Sequence, residues 1–536
     1  MDSRLTSPLQ CTTLCRAMVI AMALTGCLGA SGATPRPSLV VGVVVEGLDA
    51  DCIELLRDCF GSDGFNRLRA QGIEITDMMF GPEMDATAAT TMLMTGTSPA
   101  VNGVGAALTY DPATGRTQHI FHSPKTLGNF TSSTLSPEAL GVTTIADEVV
   151  LDSDGTGRVH VIAPDSPQAI ALAGHAANSS FWIDGNTGKW ASSTHYKEVP
   201  SAVSNRNYRN PLTARLDTMT WSPSLSLDRY PDLPPHKRKY PFRITFDKKS
   251  CPDPVAAFMA SPKANTEVTD IALEYISSAT TGKRGVTDML NIAYTVEPFP
   301  FGRDGDMRLA SMDAYVKLDA ELARLMKAID RSPGMNSTLL FVAGVPAPSG
   351  RRRDDDKWTM PGGTFSPRKA MSLLNMYLMA IHGNGEWVSG YHNRRVYLNR
   401  ELAKQRQVDM NALRRESAEF LTRVSGISGA VTADEIYTSA KGETAPSLRD
   451  NIVPRDPFDM IITVAPGWEI ETSSGTQRHI TESTATGAYP LFIMAPGRQP
   501  RKIDIPVDAR RVAPTITRLL RIRSPNGASM PPLRID

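Results

Sequence analysis

The stretch Leu39-Val-Val-Gly-Val-Val-Val45 decides the fold class. It is an unbroken apolar run dominated by a β-branched residue. A strand with one wet face alternates polar and apolar side chains; a continuous run of this length reads as a strand buried on both faces, as in a parallel sheet covered by helices on each side. Glu46-Gly47 closes the run, so it lies at the C-terminal end of the strand, the edge where open α/β sheets bind their ligands.

Working outward, a helical pattern runs from about Ala50 to Ala70, with Ile53, Leu56, Phe60, Phe65 and Leu68 apolar. Ile73 to Thr76 reads as a short strand. Asp85 to Thr95 reads as a helix with Asp85 as its N-cap. Further strands are expected at Val159 to Ala163, Thr338 to Ala343, Met460 to Val464 and Leu491 to Met494. Further helices are expected at Met307 to Ile329, Pro367 to Ile381 and Val512 to Leu520. Alternating strand and helix predicts an α/β protein, doubly wound, with a mostly parallel sheet and helices on both faces. The stretch of about 176–283 differs, being rich in Pro, Ser, Tyr and Trp with the basic cluster His236 to Lys239, and reads as an inserted cap or lobe.

The chain has 536 residues, room for three to four domains or one large α/β core with insertions. Its hydrophobic fraction of 41% and charged fraction of 21% fit an ordinary globular protein. Lys and Arg (57) almost balance Asp and Glu (56), so no global electrostatic footprint for nucleic acid exists and none is expected as a partner. Near the N-terminus, Ala17 to Gly26 is an apolar run too short to span a bilayer, which takes about 20 residues, but suited to a secretory signal. It ends in Leu24-Thr25-Gly26-Cys27, which resembles a bacterial lipobox. The expectation is a lipoprotein signal peptide at 1–26, Cys27 as the lipid site, a Gly-, Ser- and Pro-rich tether at 27–37, and the folded domain at 38–535. Of the six cysteines, Cys11 and Cys15 leave with the signal. Cys52 and Cys59 stand two helical turns apart, about 10 Å of rise, too far for a disulfide.

Several segments taken in order resemble the alkaline phosphatase superfamily, and within it the phosphate-irrepressible bacterial branch related to type I phosphodiesterases and nucleotide pyrophosphatases. They are the opening strand, Thr95-Gly-Thr-Ser-Pro-Ala-Val-Asn-Gly103, Phe181-Trp-Ile-Asp-Gly-Asn-Thr-Gly188 and Tyr315-Val-Lys-Leu-Asp319. Leu373 to Ala380, Leu398-Asn-Arg400, Ala465-Pro-Gly-Trp468, Ala513-Pro-Thr515 and Pro525-Asn-Gly-Ala528 complete the set. The resemblance implies a phosphohydrolase holding two zinc ions with Asp and His and attacking phosphorus with a Thr or Ser at a helix N-terminus. Carboxylate and imidazole suit zinc, and a metal pair steadies the attacking and leaving oxygens.

Set against that pattern, the positions carry other residues. The first metal-ligand position, at the end of the opening strand, is Glu46. The nucleophile position is Ala86, with Thr87 beside it. Two further ligand positions, before Phe301-Gly302, are Thr295 and Phe299. An expected Asp-His pair after the strand at 339–342 falls on Val345 and Pro346, and the last ligand position is Ala488. The substrate-binding Asn becomes Ala107, and the branch's Lys-x-Arg phosphate clamp falls on Asp165 and Pro167. A carboxylate where a cation is expected repels phosphate. Five of the six ligand positions are thus unsuited to zinc, and Glu46 alone retains a donor of the right kind.

Other residues have plainer readings. His479, and His119 with His122, read as surface or loop residues rather than metal ligands, and His175 as a structural hydrogen-bonding group. Asp85 reads as a helix cap whose carboxylate takes the place a phosphate would use. Met78, Met79, Met84, Met92 and Met94 read as packing, and Arg351 to Lys357 as a solvated, self-compensating loop. The sequence therefore predicts a catalytically degenerate lipoprotein, a pseudoenzyme with a binding or scaffolding role in the bacterial cell envelope, anchored in the periplasm or outer membrane. No cofactor is expected. Its partners would be the membrane, through the lipid, and an envelope protein or glycan. The alternative is an active metal-dependent phosphomonoesterase or phosphodiesterase with relocated zinc ligands, drawn from Glu46, Asp85, Thr87 and His479. A further alternative is a glycan binder in which Trp182, Trp190 and Trp221 stack on the ligand.

Overall fold

The computed structural model describes residues 35–535 apart from 83, 232, 234–240, 279, 302–306, 348–362, 443–445, 466–467 and 472–486. The expected signal peptide, Cys27 and most of the expected tether lie outside the described residues, as do His236 to Lys239, Arg351 to Lys357 and His479.

Strand β1 (Leu39–Glu46) runs parallel between two neighbours, β2 (Asp288–Thr295) and β3 (Thr338–Val345). Its side chains alternate as a doubly covered strand requires. Val41, Val43 and Val45 enter one apolar core and Val40 and Val44 the other, on opposite faces of the sheet. Gly42 is the exception in the run for a steric reason: a Cβ there would sit 2.5 Å from both Asn291 Oδ1 and Phe341 Cζ on the flanking strands.

These three strands form the middle of a ten-stranded sheet. Beyond β2 lie Val159–Ile162, Ser179–Ile183, Trp190–Ser193 and Gly128–Asn129; beyond β3 lie Leu491–Met494, Ile73–Ile75 and Arg501–Ile503. The sheet is mixed but mostly parallel at its centre, with Leu491–Met494 entering antiparallel against β3. Helix α1 (Ala86–Thr95) and helix α2 (Ser166–Ala173) pack together over one face. Helix α3 (Arg308–Arg331) packs over the other.

Three sequence expectations change. The helix expected over 50–70 is two helices, Ala50–Leu55 and Phe65–Gln71, separated by a short 3-10 turn. The Gly61-Ser-Asp-Gly64 segment breaks it, and the buried Asp319 carboxylate fixes the break by accepting from Gly61 N (2.8 Å) and Phe65 N (2.7 Å). Residues 176–283, expected as a cap or lobe, share the core of the main sheet. Ser179–Ile183 and Trp190–Ser193 join the sheet itself, and the rest is tied down through Asp313, whose carboxylate accepts from Trp221 Nε1 (2.6 Å), Tyr230 Oη (2.7 Å) and Ser224 N (2.6 Å). Met460–Val464 is a strand, but of a separate four-stranded antiparallel sheet with Val388–His392, Arg395–Leu398 and Ile427–Thr432. This smaller lobe has its own core, in which Leu374 and Leu378 of helix α4 (Pro367–His382) pack near Trp387 and Leu413.

No helix among the described residues is long and apolar enough to cross a membrane. The three cysteines of the described chain, Cys52, Cys59 and Cys251, are buried and unbridged. Trp182, Trp190 and Trp221 are 3%, 2% and 1% exposed, so they are core residues and cannot stack on a ligand in a cleft.

Candidate functional site

The in-register pairing of the three central strands sets their tips in one row. Glu46 at the end of β1 stands opposite Thr295 on one side and Val345 on the other. Three positions far apart in sequence therefore meet at the C-terminal edge of the sheet. The chain leaves β1 through Gly47, whose φ of +78° a side chain would strain. Gly47 N donates to Val345 O (3.0 Å), and Tyr315 Oη donates to Gly47 O (2.9 Å) while accepting from Asp49 N (3.1 Å). The tip of β1 is thus held rigidly, with the Glu46 side chain half-buried beside it.

The remaining ligand positions carry no metal donor in their side chains. Phe299 is 4% exposed, edge-on to Trp221 with ring centroids 5.5 Å apart. Val345 and Pro346 are buried. Ala488 is half-buried and uses its carbonyl to accept from Ala50 N (2.8 Å). Thr295 holds Asn265 through both backbone groups, and its Oγ1 accepts from Glu297 N (3.3 Å).

Helix α1 brings a second set of positions together. Ala86 is its first residue and is buried. Asp85 caps it: Oδ1 accepts from Ala88 N (2.8 Å), and Oδ2 reaches across to accept from Ala107 N (2.7 Å). The positions of the expected nucleophile and substrate Asn are therefore joined through one carboxylate, which occupies the helix N-terminus itself. Burial raises the Asp85 pKa, against the opposing pull of its backbone hydrogen bonds and of Arg395 on the smaller lobe. Thr87, one residue along, is buried.

Helix α2 begins the same way. Asp165 is its N-cap, with Oδ1 accepting from Gln168 N (3.0 Å), and Pro167 lies in the first turn, where a missing N–H costs nothing. The two helices are linked, because Gln168 Oε1 accepts from Thr90 Oγ1 of α1 (2.6 Å). Burial, with a contribution from Asp85, pushes Asp165 up to about 6.

One member of the site has no counterpart among the expected positions. Glu297, two residues past Thr295, lines a cavity of about 160 Å³ together with Glu46, Asp165, Gln168, Tyr294 and Thr295. Burial and the nearby Asp165 push it up to about 7. Glu46 is raised well above the usual carboxylate range by burial first, then by Glu297, Asp165 and Asp85. The sequence carries the signal: a carboxylate lies between the two expected ligand positions 295 and 299.

The histidines stand elsewhere. His175 bonds the Asp147 carboxylate (3.2 Å) and Leu140 O (3.1 Å), which raises its pKa and ties it to a capping box at Thr144. His119 is pushed down to about 4 by burial, with a smaller push from His122; its Nδ1 accepts from Phe121 N (3.2 Å). His122 bonds Thr134 and His382 bonds Glu416. Among the described residues, no group of three or more His, Cys, Asp or Glu side chains could hold a metal ion.

A family model for type I phosphodiesterase / nucleotide pyrophosphatase matches residues 40–488. The chain is 25% identical to alkaline phosphatase PhoV of Synechococcus elongatus, covering 92% of each protein. It is 24% identical to alkaline phosphatase PafA of Elizabethkingia meningoseptica, covering 96% of this chain and 97% of that one. The crystal structure of wild-type PafA shares the fold at a TM-score of 0.80 and 24% identity, over 94% of this chain and 99% of that one.

Proposed function

The chain belongs to the type I phosphodiesterase / nucleotide pyrophosphatase family within the alkaline phosphatase superfamily, and from that premise we propose that it is a catalytically degenerate member, a pseudoenzyme that binds or scaffolds in the bacterial cell envelope. The observation that carries this reading is the row of strand tips. The fold brings Glu46, Thr295 and Val345 together where a metal pair would be held, and only one of the three offers a carboxylate. Phe299, Pro346 and Ala488 add no donor side chain. With one carboxylate, this set does not fit two zinc ions, which take Cys, His, Asp or Glu side chains at about 2.0–2.3 Å. The residues at these positions therefore support no metal-assisted hydrolytic step.

The substrate side supports the same reading. Ala86 has no hydroxyl with which to form a phosphoenzyme. The helix N-terminus that would favour an anion is already capped by Asp85, and Asp165 stands where a cationic clamp is expected. What the two carboxylates do is structural: Asp85 and Asp165 each start a helix, and Asp85 also ties α1 to the loop at Ala107.

Export and lipid attachment at Cys27 complete the proposal. Replacing Cys27 with Ser should move the protein from the membrane to the soluble fraction of the envelope. The central test is metal analysis joined to phosphomonoester and phosphodiester assays on the processed protein. The expected result is far less than one zinc per chain and no chelator-sensitive turnover. About two zinc per chain with chelator-sensitive hydrolysis would establish the alternative, an active enzyme with relocated ligands.

A further inference from the structure

Three carboxyl side chains from three separate segments open on the one cavity of about 160 Å³: Glu46 from the tip of β1, Asp165 from the start of α2, and Glu297 just beyond β2. Asp165 has an internal donor in Gln168 N. Glu297 does not. Part of its side chain reaches solvent, but its Oε1 is cut off from water and meets no donor among the described residues. A buried acceptor left unpaired costs the full desolvation of the group, and in native structures such atoms normally find a partner.

The arrangement also says what kind of partner fits. Three of the side chains that line the cavity, Glu46, Asp165 and Glu297, are acids and none is a base. A lining of this kind is neutralised by an entering cation and excludes phosphate. It does not gather its oxygens as a metal site does, since no described cluster of His, Cys, Asp and Glu is tight enough to hold an ion. The carboxylates surround a space rather than a point. A group that fills a space and donates several hydrogen bonds in different directions is an ammonium, with three N–H donors, or a guanidinium, with five. The apolar parts of Ala293 and Met259 line the same cavity and suit the alkyl stem such groups carry.

We propose that this cavity binds the ammonium or guanidinium end of a small organic cation, with Glu297 accepting directly and Glu46 and Asp165 supplying the charge. The proposal rests on the pseudoenzyme reading, because metal ions in the same cleft would compete for the same carboxylates. The two fail differently: an active enzyme reveals itself by chelator-sensitive turnover, whatever its affinity for amines.

The test is calorimetric titration of the full processed chain, stripped of metal, with putrescine and with methylguanidine at low salt and pH 8, where the acids are most ionised, and with inorganic phosphate as the probe of opposite sign. One site per chain is expected for at least one cation and none for phosphate. Glu297→Gln should weaken binding at least about tenfold, since it removes a charged acceptor, and Glu46→Gln should weaken it too. Both variants should melt no lower than the parent, which shows that they fold. Nα-acetyl-lysinamide binding more tightly than putrescine would assign the cation to a peptide side chain, and the reverse order to a free amine. Absence of binding by either cation, or binding that both variants leave unchanged, would overturn the proposal.

Discussion

The bodies and the tips of the three central strands obey different rules. In the body of β1, Val40 to Val45 face two apolar cores, and Gly42 is the size its neighbours Asn291 and Phe341 permit. At the tip, a few residues away, Glu46 stands beside Thr295 and Val345 and shares a cavity with two more acids. The body satisfies what folding demands. The tip gathers like charges that folding alone would keep apart. The contrast teaches that the scaffold and the chemistry at its edge are specified by separate residues, so one can be kept while the other is rewritten.

Substitutions can break that contrast. The largest effect is expected in the body. Gly42→Val places atoms inside the contact distance of both flanking strands and should cost about 3 kcal/mol or more, read as loss of soluble protein or a large drop in the urea midpoint. Unchanged stability would mean that the sheet gives way more easily than its packing indicates. Next comes Asp85→Ala, which frees the N–H groups of Ala88 and Ala107 and should cost about 1–2 kcal/mol by the same assay.

At the tip the sign should reverse. Asp165→Asn and Glu297→Gln each remove a repelling buried carboxylate and should stabilise the protein at pH 8, by on the order of 1 kcal/mol. The pH dependence follows from the same groups. Their folded pKa values, about 6 for Asp165 and about 7 for Glu297, lie above ordinary carboxylate values near 4. A raised carboxyl contributes stability that is fully present below its unfolded pKa and is lost as pH rises through the folded one. Melting temperature should therefore fall between about pH 4 and pH 7 in the parent, and fall less in the double variant. Equal slopes in the two would show that these acids are not the source. The smallest effect should come from Ala86→Thr: a hydroxyl introduced at the start of α1 should change stability by less than about 1 kcal/mol and, on the proposed reading, yield no phosphatase activity above background.

Much of this is legible from residues alone. The buried run at 39–45 announces a doubly covered strand, and Asp85 announces the start of α1, because both depend on local pattern. Glu46, Thr295 and Val345 can be set in one row through the resemblance, since strand register follows family topology. The smaller lobe is not legible. Its strands are short, and only Met460–Val464 carries a strong apolar run, so nothing local marks it as belonging to a second sheet. The extent of 176–283 is hidden for a related reason: composition flags Trp221 and Tyr230 as unusual but does not reveal that Asp313, on α3, waits to receive them. Glu297 falls outside the family's ligand pattern, lying between two of its positions, and only the fold shows that it shares a cavity with Glu46 and Asp165.

If the chain is the degenerate family member proposed above, the bridge from Asp85 to Ala107 bears on its history as much as on its stability. Had only the hydroxyl at position 86 been lost, one codon change could bring it back. With the cap also holding the loop at 107, reinstating a nucleophile would leave a negative group seated at the helix N-terminus, and removing that group would loosen both segments at once. Each step back toward phosphate passes through a weaker protein. On that reading the bridge would act as a ratchet against regaining a nucleophile.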